Sequence, residues 1–156
     1  MKPARTIPQV LVVNSFDDCD MYAEYLRDLG LTVHAAPAPD QGLDLVATVG
    51  CDVVITDYVF ARSTMSGASF IRELRSRVDA ATSIIVIAGC VRLEDRKEAR
   101  QSGADLFLIK PALPSAVLFE VRRALVLRRK GRRLVWNWHD LPEAAPHAPR
   151  PRSRAS

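Results

Sequence analysis

Four residue pairs that follow short apolar runs could carry chemistry in this chain, and two of them hold ionisable side chains. Asp57 brings a carboxylate, which can act as a nucleophile, and Lys110 brings an ammonium, which can bind an anion. The four pairs are Asn14-Ser15, Thr56-Asp57, Ala88-Gly89 and Lys110-Pro111. Because Asp57 and Lys110 lie far apart in the chain, any shared chemistry requires a fold that brings them together.

The apolar runs are short and rich in branched residues. Each is too short for a helix and does not alternate with polar residues, which is typical of strands buried on both faces of a parallel sheet. Five such runs predict five strands, at Val10–Val13, Val33–Ala35, Val53–Thr56, Ile84–Ile87 and Leu106–Ile109.

Longer stretches with apolar residues at helical spacing follow each strand. They predict helices at Asp18–Leu29, Asp40–Val49, Ala68–Val78, Glu94–Ser102 and Pro114–Arg129. The alternation predicts an α/β fold, a doubly wound five-stranded parallel sheet with right-handed crossovers and helices on both faces. In such sheets the functional site lies beyond the carboxyl ends of the strands, where the four residue pairs fall.

Charge divides the chain into two unequal parts. Residues 1–121 hold 12 Lys and Arg against 16 Asp and Glu, whereas residues 122–156 hold 10 against 2. The net charge of +4 therefore originates in the C-terminal segment. We predict an N-terminal extension over residues 1–7, one folded domain over residues 8–130, and a largely disordered basic tail, rich in Pro and Arg, over residues 131–156.

The composition argues against a membrane or secreted protein. No apolar run approaches the ~20 residues that span a bilayer, and the N-terminus has no apolar segment typical of a signal peptide. Cys19, Cys51 and Cys90 are odd in number and form no CxxC motif, which is typical of free thiols in a reducing compartment. We expect a cytoplasmic protein without a membrane partner.

The basic segment around Trp136 and Trp138 combines positive charge with aromatic rings. Such a mixture can bind nucleic acid through phosphate pairing and base stacking. It is also typical of a solvated helix end, since cations favour a helix C-terminus, or of a protein-binding segment. Nucleic acid is the least favoured of these partners, because no DNA-reading domain follows.

The segments VLVVNS, ITDY, MSGASFIRELR, IIVIAG, LEDRKEARQSGAD and FLIKPALPSAVL resemble, in order and spacing, the receiver domain of two-component response regulators. The resemblance covers roughly residues 8–128. It implies a flavodoxin-like strand order of 2-1-3-4-5 and phosphoryl transfer from a histidine kinase or phosphotransfer protein to Asp57. It further implies that Lys110 binds the phosphoryl group, that the Lys110-Pro111 peptide is cis, and that a downstream protein target reads the signal. A homodimer is left open.

The metal-binding corner departs from the family pattern. Receiver domains normally carry two adjacent acids after strand one, which hold Mg²⁺ with the acceptor aspartate, whereas this chain has Asn14-Ser15. Both residues offer oxygen without charge, so we expect Mg²⁺ held by Asp57, Asn14 and Ser15 with weakened affinity. A shifted loop would add Asp17 as a ligand, and capping of the next helix by Asp17 or Asp18 is the alternative.

The two switch positions of the family also differ here. Strand four normally ends in Thr or Ser, whose hydroxyl bonds the phosphoryl group, but Ala88 stands at that position. The aromatic switch position on strand five matches Phe107, which has no hydroxyl. Phe107 can either move between buried and exposed rotamers or simply pack, so switching through hydroxyl groups is expected to be impaired.

Two other functions fit parts of the same pattern. A pseudo-receiver would keep the fold and dock to a kinase or output protein without phosphorylation, which the missing acids and hydroxyl favour. A flavodoxin-like or nucleotide-using enzyme is the third alternative, but VVNSFDD after strand one contains no glycine-rich phosphate loop. His34, His139 and His147 are also scattered along the chain. We therefore expect no enzyme activity of its own.

Overall fold

A computed structural model describes residues 7–14, 18–60, 63–89 and 92–135, with side chains of residues 18–20 outside the description. Strands and helices alternate along these ranges. They are β1 Gln9–Val13, α1 Asp18–Asp28, β2 Thr32–Ala36, α2 Pro39–Val49, β3 Val53–Thr56, α3 Gly67–Arg77, β4 Ser83–Ala88, α4 Leu93–Ser102, β5 Leu106–Ile109 and α5 Pro114–Arg129. Every predicted strand and helix is present, with ends within a residue of the predicted ones.

The sheet has the order β2-β1-β3-β4-β5, and all neighbouring strands are parallel. This confirms the doubly wound, flavodoxin-like architecture. At the carboxyl edge, Val13 of β1 lies beside Thr56 of β3. Asn14 and Asp57 therefore follow adjacent strands, and the Asp57 N–H donates to the Val13 carbonyl at 3.0 Å.

Two apolar layers hold the helices against the sheet. Leu11, Val13 and Val54 point into a cluster that also contains buried residues of α2 and α3. Val10 and Ile55 point into the opposite cluster, with buried residues of α1 and α5. Because successive strand residues alternate between two covered faces, the strands read as continuous apolar runs. No helix in the described ranges is long and apolar enough to cross a membrane.

The start of the predicted tail packs onto the domain. Leu134 is buried, and its N–H donates to the Ser83 hydroxyl oxygen at 2.9 Å. Arg133 forms an ion pair with the buried Asp105 at 3.0 Å. The packed domain thus extends beyond the predicted boundary at residue 130, because Leu134 is buried beside Ser83 at the amino end of β4. Residues 136–156, and 1–6 of the predicted extension, lie outside the described residues.

We expect Leu134→Ala to lower the free energy of unfolding by about 2 kcal/mol, since it leaves a cavity at a buried site. Val135 is a matched neighbour, being 71% exposed. Val135→Ala should change stability by less than about 0.5 kcal/mol. Urea denaturation monitored by circular dichroism measures both. A loss for Leu134→Ala as small as the loss for Val135→Ala would show that the burial of Leu134 does not stabilise the domain.

Candidate functional site

Asp57 lies immediately after β3 and is held at both carboxylate oxygens. Its Oδ1 accepts a hydrogen bond from the Tyr58 N–H at 2.8 Å. Its Oδ2 lies 3.5 Å from the Nζ of Lys110, which follows β5. The side chains of Asp57 and Lys110 are 13% and 26% exposed, so the pair is partly accessible to solvent. The sheet therefore brings together the carboxylate and the ammonium selected from the sequence.

The position of Lys110 is set by the last residues of β4 and by the peptide that follows it. Its N–H donates to the Ala88 carbonyl at 2.8 Å, and the Lys110-Pro111 peptide is cis. A separation of 3.5 Å between ammonium and carboxylate is longer than a strong charge-assisted hydrogen bond. The pair is thus an electrostatic contact between ammonium and carboxylate rather than a short hydrogen bond.

Asn14 provides a neutral oxygen at the same edge of the sheet. Its side chain is buried, and its Oδ1 has no hydrogen-bond partner among the described residues. A buried oxygen without a partner is unfavourable, and amide oxygens are among the ligands that Mg²⁺ accepts. Asn14 and Asp57 therefore fit a hard cation, although they bring a single negative charge.

Only two of the four predicted metal ligands, Asn14 and Asp57, lie within the described residues. Within the described ranges, no group of three or more His, Cys, Asp or Glu side chains is arranged to hold a metal. Ser15 and Asp17 lie outside the described residues, and the helix that follows them begins at Asp18. Their roles as ligands or as a helix cap stay predictions.

Most of this chain matches a known protein family. The family model for the response regulator receiver domain matches residues 10–122. The chain belongs to this family. Its members are generally non-enzymatic signalling domains, and membership implies two-component signalling.

Solved structures agree with this assignment. A CheY-like response regulator receiver domain protein from Methanospirillum hungatei JF-1 is 20% identical, with a TM-score of 0.75 over 81% of this chain and 99% of that one. Chemotaxis protein CheY4 of Vibrio cholerae is 26% identical, with a TM-score of 0.69 over 76% and 99% of the two chains. No curated protein matches the chain.

A third solved structure records a modified site. It is a response regulator from Burkholderia pseudomallei with a phosphorylated aspartic acid, a calcium ion and citrate. It is 23% identical to this receiver domain, with a TM-score of 0.68 over 80% of this chain and 72% of that one. At this identity the likeness shows the fold alone.

The two residues at the predicted switch positions are both buried. Ala88, which is 3% exposed, ends β4 with a methyl group where a hydroxyl is usual. Phe107 is 8% exposed, and its ring centroid lies 6.2 Å from that of Tyr58 at an interplanar angle of 59°. The structure therefore places Phe107 inward, packed against the residue that follows Asp57.

Tyr58 is the residue of the site that the sequence did not single out. Its hydroxyl donates to Glu98 Oε1 of α4 at 2.9 Å. Burial raises the pKa of Tyr58, and the hydrogen bond to Glu98 and the charges of Glu98 and Asp95 raise it further. The only sequence signal was its place in the ITDY segment, directly after Asp57.

The raised pKa of Tyr58 predicts a pH dependence of stability. The folded state holds the phenolic proton of Tyr58 more tightly than the unfolded state does. The contribution of Tyr58 to the free energy of unfolding is therefore fully present below the unfolded pKa of about 10 and is lost as pH rises above that value. We expect the difference in unfolding free energy between the native protein and Tyr58→Phe to narrow above about pH 10. Urea denaturation at pH values on both sides measures it. A difference that stays constant would contradict the raised pKa of Tyr58 that burial and Glu98 produce.

Proposed function

We propose that this receiver domain accepts a phosphoryl group on Asp57 from a histidine kinase or phosphotransfer protein in the cytoplasm and signals to a downstream protein target. The observation that carries the proposal is the Asp57–Lys110 pair at the carboxyl edge of the sheet, with Lys110 Nζ 3.5 Å from Asp57 Oδ2. This supports the proposal because a carboxylate can act as a nucleophile, and an ammonium beside it can stabilise the negative charge that is added.

In the proposed transfer, Asp57 Oδ2 attacks phosphorus while Oδ1 stays bonded to the Tyr58 N–H. A bond forms between Oδ2 and phosphorus, and the bond between phosphorus and the donor breaks, so the donor leaves with its electron pair. As a carboxylate, Asp57 has no proton to lose in this step. Lys110 then pairs with the phosphoryl oxygens rather than with the carboxylate, which stabilises the added negative charge.

Mg²⁺ is the cofactor that the family implies, and we propose that it is held weakly. Asp57 and Asn14 would hold it, with Ser15 and Asp17 as further candidate ligands. When bound, it would neutralise charge on the phosphoryl group. The absence of two acids at Asn14-Ser15 lowers the affinity for the cation, and also lowers the repulsion of an incoming phosphoryl anion.

Incubation with a small phosphodonor such as acetyl phosphate, at a series of Mg²⁺ concentrations, tests the proposal. Intact mass spectrometry should show one added phosphoryl group, and hydroxylamine should remove it, as expected of an acyl phosphate. Half-maximal labelling should need more Mg²⁺ in this protein than in its Asn14→Asp variant. No adduct at any donor or Mg²⁺ concentration would contradict phosphorylation.

Replacement of Lys110 should slow phosphoryl uptake. Loss of one electrostatic group that stabilises developing charge typically costs about 100-fold or more in rate. We expect a decrease of this order for Lys110→Met, measured as the rate of adduct formation. Lys97→Met is the matched control, because Lys97 is an exposed lysine of α4. Equal rates for the two variants would remove Lys110 from the mechanism.

A phosphorylation-independent docking module is the second candidate. It is favoured by the methyl group of Ala88, which offers no hydrogen bond to a phosphoryl group, and by the neutral Asn14. In that case, the donor leaves no adduct, and the native protein and Asp57→Asn bind the same partner with equal affinity.

A further inference from the structure

We propose that Tyr58 transmits the phosphorylation state of Asp57 to α4 through its hydrogen bond with Glu98. The inference rests on the proposed phosphorylation of Asp57. It assigns to Tyr58 a role that the methyl group of Ala88 and the ring of Phe107 cannot fill by hydrogen bonding. Tyr58 connects Asp57 to α4, since its N–H donates to the carboxylate of Asp57 and its hydroxyl donates to Glu98 of α4.

The backbone end of Tyr58 senses the charge of Asp57. Its N–H donates to Oδ1 at 2.8 Å, and hydrogen bonds to an ionised acceptor are stronger than those to a neutral one. When a phosphoryl group is attached to Oδ2, Oδ1 becomes the carbonyl oxygen of an acyl phosphate. The acceptor then carries less negative charge, so the bond to the Tyr58 N–H weakens and the residue is released.

The start of α3 limits where Tyr58 can move. A Cβ atom built on Gly67 would lie 2.1 Å from the Tyr58 carbonyl oxygen and 2.7 Å from its Cδ2. The α3 backbone therefore stands directly against one side of Tyr58. On another side, the ring packs against Phe107. Tyr58 is therefore confined on two sides, by the start of α3 and by Phe107.

The far end of Tyr58 meets a helix that is weakly anchored. Of the residues of α4, only Ala99 and Ser102 are buried, and the Arg96 Nε is buried without a hydrogen-bond partner among the described residues. A helix with few buried contacts opens at low energetic cost. The hydrogen bond between Tyr58 and Glu98, at 2.9 Å, links residues 40 positions apart and is therefore a long-range contact of α4.

Hydrogen exchange of the α4 amides, residues 93–102, tests the proposal in the full chain. In the native protein, labelling with acetyl phosphate and Mg²⁺ should make these amides exchange about twofold to tenfold faster, as expected for loss of one hydrogen bond. Tyr58→Phe should form the same amount of adduct, with α4 exchange already fast and unchanged by labelling. An undiminished response in Tyr58→Phe would overturn the proposal.

Tyr25→Phe is the matched control. Tyr25 is also half-buried, but it packs against the apolar cluster on the opposite face of the sheet. This substitution should leave both the adduct and the α4 response unchanged. A loss of the response in Tyr25→Phe as well as Tyr58→Phe would point to a general loss of packing and would overturn the specific role of Tyr58.

A double-mutant cycle without phosphodonor separates this inference from the proposed function. Asp57→Ala removes the acceptor of the Tyr58 N–H, so it should speed α4 exchange in the chain with Tyr58. In combination with Tyr58→Phe, it should add nothing further. If the native protein forms no adduct, the proposed phosphorylation is wrong, but the cycle still tests whether Tyr58 couples Asp57 to α4. Additive effects of the two substitutions on α4 exchange would overturn this coupling.

Discussion

The Asp57→Asn variant is expected to take up no phosphoryl group under conditions that label the native protein. An amide lacks the charge of a carboxylate and is a poor nucleophile, so the attack on phosphorus is lost. The Asn oxygen can still accept the hydrogen bond that Tyr58 donates to Asp57 Oδ1. Intact mass spectrometry after incubation with acetyl phosphate measures the effect, with Asp44→Asn as the control at an exposed carboxylate of α2.

A loss of labelling in Asp57→Asn should not reflect unfolding. The Asp57–Lys110 pair is partly exposed, and pairs of this kind contribute less than about 1 kcal/mol to stability. We therefore expect urea denaturation midpoints of Asp57→Asn and the native protein to lie close together. Equal labelling of Asp57→Asn and Asp44→Asn would place the acceptor at another residue.

Arg75→Ala is expected to cause the largest loss of stability, about 3 kcal/mol. Arg75 Nη2 lies 2.5 Å from Asp105 Oδ2, and its guanidinium also donates to the carbonyl oxygens of Thr82 and Gly103. Asp105 is 5% exposed and accepts a further hydrogen bond from the Ile84 N–H. Removal of Arg75 leaves the buried negative charge of Asp105 with fewer positive partners. Removal of one partner of a buried ion pair is strongly destabilising for this reason.

The control for Arg75→Ala lies on the same helix. Arg77 pairs with Glu73 at 3.5 Å, but these side chains are 47% and 51% exposed. Arg77→Ala should therefore cost less than about 0.5 kcal/mol in urea denaturation. Comparable losses for Arg75→Ala and Arg77→Ala would contradict the structural role assigned to the buried pair.

The cost of Arg75→Ala should also depend on pH. Burial raises the pKa of Asp105, and the charges of Arg75 and Arg133 and the Ile84 N–H oppose that rise. Without Arg75, the folded state binds the Asp105 proton more tightly than the native fold does. The variant then gains stability relative to the native protein as pH falls through that raised pKa, so the loss should shrink in acid.

The fold was predictable because its strands and helices leave strong local patterns. Runs such as Val53–Thr56 show no alternation of apolar and polar residues because both faces of the sheet are covered. A helix such as Pro114–Arg129 buries residues three or four positions apart, which is the spacing of one helical face. The positions of Asp57 and Lys110 followed from the same information. Parallel strands place their carboxyl ends at one edge, so residues distant in sequence meet there.

The features that the sequence did not predict are contacts between single residues, which leave no periodic pattern in the sequence. The partner of Tyr58 is Glu98, and their meeting requires the packing of α4 beside the loop after β3. Leu134 opens a short apolar stretch, Leu134–Trp138, for which the sequence indicates local packing, but the sequence does not identify its partner. The hydrogen bond from its N–H to the Ser83 hydroxyl and its burial show that Leu134 belongs to the domain.

The division of charge along the sequence does not show which basic residues form ion pairs within the domain. Two arginines of the basic segment are used inside the domain. Arg128 pairs with Asp52 and, at 3.7 Å, with Asp79, while Arg133 pairs with Asp105. Sequence composition counts both residues with the basic segment 122–156, although their charges compensate acids at the amino edge of the sheet. Part of the positive segment therefore stabilises the fold.

Chemical mapping of the phosphorylated residue tests the central claim most directly. Borohydride reduces an acyl phosphate to an alcohol, so a labelled aspartate becomes homoserine at its own position. After treatment with acetyl phosphate and borohydride, peptide sequencing by mass spectrometry should find this change at position 57. Conversion at any other acidic residue, or an unmodified Asp57 in a protein that carries the adduct, would contradict the account.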